Sequence, residues 1–306
     1  MECPQPQHKE ADMPQPKLVS YFAGGPLPLH RALDRPYTHL ILAYLTSNEQ
    51  SPFTLALSAD LAAQATPPRF DAEINRAVRR LQQQGVKVMV SFGGPAMTTS
   101  AYRQLAGQES YLAYILAQFV VANELDGIDI HWEDAAAFIG QGGYDGVEFL
   151  TQLTRALRRE LPGDRYLIAH SPQPPYLQEG YAMSGYLKVL QAAGSAIDLV
   201  TIQFYNNRPW SGDPLRIVES YQRYCQLPGM NTDKAILGLP IARHNALSTS
   251  FIPLDAIVRR IIGPLTRCGG LGGLMGWEFS GDHDGQWSHS IGEALAQALA
   301  NQPRER

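Results

Sequence analysis

The sequence predicts an α/β protein built as a (β/α)8 TIM barrel. Eight short apolar runs recur along the chain, and amphipathic stretches of helical period separate most of them. One of the runs carries three ionisable residues on a single face. A length of 306 residues suits one domain of this kind.

The predicted strands are, in order, Leu18 to Ala23, His39 to Thr46, Val86 to Phe92, Gly127 to Trp132, Tyr166 to Ser171, Leu199 to Tyr205, Ala235 to Leu239 and Gly272 to Glu278. Helical patterns fall at Ala72 to Gln84, Tyr111 to Glu124, Val147 to Leu161, Gly185 to Ala193, Pro214 to Cys225, Leu254 to Cys268 and Ile291 to Ala300. Strands that read as near-continuous apolar runs, joined by helices, belong to a parallel sheet covered on both faces. Right-handed crossovers then leave an open doubly wound sheet or a closed barrel, and eight evenly spaced units favour closure. The dinucleotide-binding form of the open sheet lacks its fingerprint. Ala23-Gly-Gly-Pro26 follows the first strand where a G-x-G-x-x-G would stand.

Residues 1–16 hold four prolines and no apolar period, which predicts a flexible leader; 17–300 form the single barrel, and 301–306 a loose tail. The loops Ser47 to Pro68 and Pro172 to Met183 are expected to shape a cleft. A hydrophobic fraction of 44% and a charged fraction of 18% supply a large core. Net charge is −4 with no dense basic run, which argues against nucleic acid as a partner. Cys3, Cys225 and Cys268 are too widely spaced for a disulfide framework or metal-ligand set and read as ordinary thiols. No apolar run reaches the roughly 18 residues of a membrane span, and the start lacks a cleavable signal. The expected location is the cytoplasm, or outside the cell by a non-standard route. Protein partners are left unassigned.

The chemistry concentrates on the fourth strand, Asp126-Gly-Ile-Asp129-Ile-His131-Trp-Glu133. Period-two alternation puts Asp129, His131 and Glu133 on one face and Ile128, Ile130 and Trp132 on the other. Inside a barrel the polar face points inward, where ionisable groups need partners or a function. Glu133 comes last, at the C-terminal end where barrel active sites are assembled. The competing reading makes Asp129 and His131 a buried structural pair and Glu133 a rim residue in a salt bridge.

The segment DGIDIHWE resembles the DGxDxDxE signature of glycoside hydrolase family 18. The segments around VKVMVSFGG on strand three, LVTIQFYNN on strand six and GLMGWEFSGD on strand eight are similar to that family where it places its site. The likeness runs from Leu18 to Ala300 and is nearest to the plant class III chitinases and relatives such as narbonin. It implies a chitinase-like, retaining and substrate-assisted hydrolysis of β-1,4-linked N-acetylglucosamine glycans. Glu133 would be the acid, Tyr205 would hold the acetamido group, Gln203 would line the same pocket, and Trp277 would be its floor. Asp129 and His131 complete the catalytic set. Tyr21, Tyr44, Asp126 and His170 are further candidates for substrate binding. The resemblance also implies cis peptide bonds near Ala43-Tyr44 and Trp277-Glu278. No cofactor and no metal is implied.

Position 131 departs from the family pattern, which has aspartate there; narbonin, regarded as non-catalytic, also carries histidine. A neutral imidazole can bridge Asp129 to the acetamido N–H and keep some catalysis. An imidazolium beside Glu133 would instead hold the acid ionised. Two other functions stay open: a non-catalytic chitinase-like lectin, and a storage or scaffold protein whose groove is blocked, for instance by Arg208 or Arg243 paired with Glu133. Asp282-His283-Asp284 reads as a solvated loop rather than a metal cluster, and Ser91 and Ser280 lack the context of an activated nucleophile.

Overall fold

The structure, a computed structural model, describes residues 15–65, 67–267 and 270–300. The predicted leader through residue 14, Cys3, Cys268 and the tail 301–306 lie outside these residues. Nine strands form one sheet: β1 (Lys17–Phe22), β2 (His39–Thr46), β3 (Ala56–Leu57), β4 (Lys87–Gly93), β5 (Gly127–His131), β6 (Leu167–His170), β7 (Leu199–Gln203), β8 (Ala235–Pro240) and β9 (Gly273–Trp277). Their order is β1-β9-β8-β7-β6-β5-β4-β2-β3, and β1 also pairs with β2, so eight parallel strands close into a barrel. The short β3 pairs antiparallel with the end of β2, outside the ring; the sequence reading placed it in a loop.

Alternation along each strand sorts the apolar residues into two cores. Val19, Tyr21, Ile41, Met89, Ala169, Leu199, Ile236 and Met275 fill the interior. Leu18, Leu40, Val88, Ile128, Ile130, Ile168, Val200 and Leu237 face outward into the helical layer. The division explains why the runs read as continuous: both faces are buried.

Helices occupy Ala72–Gln83, Glu109–Ala122, Gly146–Glu160, Tyr186–Ala193, Pro214–Tyr224 and Gln286–Ala300, close to the predicted ranges. Several begin at an aspartate whose carboxylate accepts first-turn amides: Asp71 from Glu73 and Ile74, Asp145 from Val147 and Glu148. Between β1 and β2, where the sequence shows no helical pattern, only a 3-10 turn, Leu29–Asp34, covers the barrel. Two differences stand out. The predicted helix from Leu254 is interrupted by a π-helical stretch, Val258–Ile262. Short helices at Thr99–Leu105 and Ala135–Phe138 add to the loops above the strands. None of the helices among the described residues is long and apolar enough to cross a membrane.

Asp282 corrects the sequence reading of its loop. Its side chain is buried, accepts hydrogen bonds from Arg35 Nη1 at 2.9 Å and Tyr37 at 2.9 Å, and caps the last helix through the amide of Trp287 at 3.1 Å. The carboxylate is a structural staple between the first crossover and the C-terminal helix. Among the described residues Cys225 is a free, buried thiol, and burial pushes its pKa up to about 11.

Candidate active site

Glu133 stands two residues beyond β5, at the C-terminal mouth of the barrel. Together with Tyr44, His131, Gln203, Tyr205 and Trp277 it lines a cavity of about 230 Å3. Each comes from the end of a different strand or the residues just after it, apart from the His131–Glu133 and Gln203–Tyr205 pairs. Parallel closure makes that convergence automatic, because every strand ends at the same rim.

The local backbone allows the close packing. Gly93 and Gly94, at the end of β4, both have positive φ, and a Cβ on Gly94 would sit 2.6 Å from the Tyr44 ring. The peptide bonds Ala43-Tyr44 and Trp277-Glu278 are both cis, as the family resemblance implies.

Beneath the cavity lies a buried polar layer. Asp129 accepts hydrogen bonds from Tyr21 at 2.8 Å, Ser91 at 2.7 Å and Ser171 at 2.6 Å, and Ser171 in turn meets Thr201 at 2.7 Å. Burial drives the Asp129 carboxyl above its ordinary value, against the opposing pull of His131 and the three hydroxyls. Tyr21 therefore belongs to this supporting layer. It is fully buried and does not line the cavity, which corrects the expectation that it contacts substrate.

His131 bridges the two levels. Its Nε2 lies 2.9 Å from Glu133 Oε1, while Nδ1 stands 4.0 Å from Asp129 Oδ2 and makes no hydrogen bond among the described residues. The imidazole is thus tied to Glu133 rather than paired with Asp129. The rings of Tyr44 and Tyr21 meet it edge-on at 5.2 and 5.7 Å. Burial alone would raise the Glu133 carboxyl, but the hydrogen bond and charge of His131, with Gln203 and Gln173, outweigh it and hold the pKa below its ordinary value. Gln203 is anchored by donating to the Ser171 carbonyl at 2.8 Å, which brings its amide nitrogen 3.3 Å from Glu133.

Trp277 and Tyr205 form the aromatic wall, with ring centroids 6.2 Å apart and planes inclined by 19°. The hydroxyls of Tyr205 and Tyr44 are buried and have no hydrogen-bond partner among the described residues. Buried donors without partners are costly unless a ligand completes them.

Two predicted binding residues lie elsewhere. Asp126 precedes β5 and accepts from the Val88 amide at 2.9 Å and Gln82 at 2.9 Å, with Lys87 at 3.2 Å. Seven residues at about 3.3 Å each separate it from Glu133, on the order of 20 Å, so it belongs to the opposite end of the barrel. His170 pairs in register with the outward-facing Ile130 and so faces the helices, between Thr154 and Tyr186 at 3.1 Å each. Burial brings it down to about 3, and it stays neutral.

Sequence reasoning missed Pro95, Gln173, Asn206 and Asn207, which complete the lining. Asn206 and Asn207 stood within the LVTIQFYNN segment, but nothing in the period of the strand marks a residue beyond its end. No Lys or Arg pairs with Glu133 among the described residues; Arg243 lies instead over the Phe251 ring at 4.6 Å. Nor do any three His, Cys, Asp or Glu side chains among these residues group to hold a metal ion.

Comparison with known proteins agrees with this architecture. Residues 17–251 match the family described as Glycosyl hydrolases family 18. An acidic endochitinase of Vitis vinifera is 27% identical over 280 residues, covering 83% of this chain and 82% of its own. The crystal structure of a GH18 chitinase from Pseudoalteromonas aurantia superposes with a TM-score of 0.88 at 44% identity, over 91% of this chain and 99% of that one. A fungal endo-β-N-acetylglucosaminidase, 20% identical with a TM-score of 0.70 over 96% of this chain and 100% of its own, shares the fold.

Proposed function

Because the chain belongs to glycosyl hydrolases family 18, we propose that it cleaves β-1,4-linked N-acetylglucosamine glycans with retention at the anomeric carbon. The carrying observation is the placement of the Glu133 carboxyl at the lip of the cavity whose wall is Trp277 and whose unpartnered hydroxyls are Tyr205 and Tyr44.

In this reading the reacting sugar packs its apolar face on Trp277, and its acetamido group lies toward Tyr205. Glu133 gives its proton to the glycosidic oxygen as that bond breaks. The acetamido carbonyl attacks the anomeric carbon to give an oxazolinium ion. Water, deprotonated by the Glu133 carboxylate, then opens it and restores the acid.

His131 governs whether that proton is present. When Nε2 donates, Glu133 is a carboxylate; when Nε2 accepts, Glu133 carries the proton and the ring holds its own on Nδ1, facing Asp129. Glu133 is 24% exposed in the open cavity. A bound sugar covers that surface, and the added burial pushes the carboxyl upward, toward the form that donates.

An assay on chitin oligosaccharides comparing the natural protein with Glu133→Gln tests the proposal. Loss of turnover in the variant supports it, and equal rates remove the catalytic claim. The lectin reading draws on the same His131 contact, which favours an ionised Glu133. Calorimetry separates the two, since binding without turnover on long incubation supports the lectin.

A further inference from the structure

The helix Glu109–Ala122 carries no charged residue after its first position, although it lies in the outer layer of the barrel. A surface helix ordinarily turns a polar face to solvent, as the neighbouring Gly146–Glu160 does with Glu148, Arg155 and Arg159. Here Leu112, Leu116 and Val120 pack into the core, while Tyr111, Tyr114 and Val121 on the other side are 52%, 48% and 44% exposed. Apolar surface left open in this way marks a place where something binds.

The surface is not flat. Where the helix meets residues 53–55 and 67–69, a cavity of about 540 Å3 opens, within the roughly 300–1,000 Å3 of small-molecule sites. Leu55 and Phe119, both buried, form its floor, and Phe53, Pro68, Tyr114 and Ile115 stand around them. The Phe53 ring is packed against Tyr111 with centroids 5.0 Å apart. One charged side chain, the exposed Arg69, reaches the lining, and no aspartate or glutamate lines the cavity among the described residues. The nearby carboxylates are engaged with other groups: Asp71 accepts the amides of Glu73 and Ile74, and Glu124 pairs with Arg79 at 2.9 Å. A guanidinium beside an apolar trough complements a molecule with a long apolar body and a single carboxylate at its end.

We propose that this cavity binds a fatty acid, with the alkyl chain lying between the helix and residues 53–55 and the carboxylate on Arg69. It shares no residue with the cavity at Glu133, so the assignment stands apart from the glycan reading. The concave shape and the lone cation favour a single-chain anion over a second copy of the protein. A symmetric pairing through this face would bring a second uncompensated Arg69 to the same apolar surface.

The test is calorimetry near neutral pH with dodecanoate, octanoate and dodecyltrimethylammonium, each kept below the concentration at which it forms micelles. Dodecanoate is expected to bind, and octanoate, with its shorter chain, to bind at least about tenfold more weakly. The cation of equal tail is also expected to bind at least about tenfold more weakly, although the net charge of −4 favours it. Arg69→Gln, at an exposed position, should weaken dodecanoate by about tenfold and leave the cation within about twofold. Ile115→Trp fills the cavity and should abolish both; if that variant fails to fold, Tyr114→Ala, at an exposed position, should weaken both by about fivefold. Absence of dodecanoate binding, equal affinity for the two head groups, or an Arg69→Gln variant that binds dodecanoate as the natural protein does overturns the proposal. A dimer in sedimentation that dissociates in Tyr114→Glu would give the face to a second copy and overturn it as well.

Discussion

The Nε2 atom of His131 lies 2.9 Å from Oε1 of Glu133; burial pushes that carboxyl up, and the contact with His131, joined by Gln203 and Gln173, outweighs it. Because the Glu133 pKa is depressed, the protonated acid is populated only at low pH in the free protein. The kcat/KM on chitin oligomers is therefore expected to rise as pH falls below neutrality. Replacing His131→Asp puts a negative charge beside Glu133, raises its pKa and moves the alkaline limb of the profile upward by about one unit or more. Superimposable profiles for the two proteins would show that His131 does not control the acid.

Tyr205 offers a separation of catalysis from stability. Its hydroxyl is buried and without a partner among the described residues, so Tyr205→Phe is expected to leave the unfolding midpoint unchanged or slightly raised. If the hydroxyl holds the acetamido group in the transition state, kcat/KM falls by roughly 100-fold. A lowered midpoint with unchanged kcat/KM would make the hydroxyl structural.

Asp126 is expected to behave in the opposite manner. Asp126→Ala leaves the Val88 amide without its acceptor and removes one of the two acceptors of the Gln82 amide at the far end of the barrel, at a cost of about 1–3 kcal/mol in denaturant unfolding. Oligosaccharide turnover stays within about twofold. A selective loss of activity at full stability would return Asp126 to the site.

Arg35 and Asp282 are 3% and 0% exposed at their side chains. Removing one partner strands a buried charge, and Asp282→Ala is expected to destabilise the fold by about 3–5 kcal/mol. A double replacement, Arg35→Leu with Asp282→Leu, recovers part of that loss because no lone charge remains. Equal stability of Asp282→Ala and the natural protein would contradict the staple.

Two buried histidines link stability to pH. Burial lowers His39 to about 4 and His170 to about 3, from ordinary values near 6.5. Between pH 6.5 and 4 the unfolded chain takes up protons that the folded chain refuses, so stability is full above 6.5 and declines as pH falls. Each contributes a slope on the order of 1 kcal/mol per pH unit. Denaturant midpoints at pH 7 and pH 5 should differ less for His170→Gln than for the natural protein, and an unaltered difference would refute the linkage.

Much of the architecture was legible in the sequence because a barrel strand buried on both faces must be apolar throughout, and eight such runs left little else to build. Alternation within DGIDIHWE also placed Asp129, His131 and Glu133 inward, since the pleat has a period of two whatever surrounds it. Order along the strand says which end a residue occupies, but period does not say which of two neighbours a side chain will reach. Asp126 looked like part of the motif and stands at the wrong end, while His170 takes the outward parity dictated by its pairing with Ile130. The sequence by itself determined the closed parallel sheet and the ionisable face. Tertiary structure alone decided that His131 binds Glu133 rather than Asp129. Asp129 is already saturated by Tyr21, Ser91 and Ser171, hydroxyls from three other strands or strand ends that only barrel closure brings together.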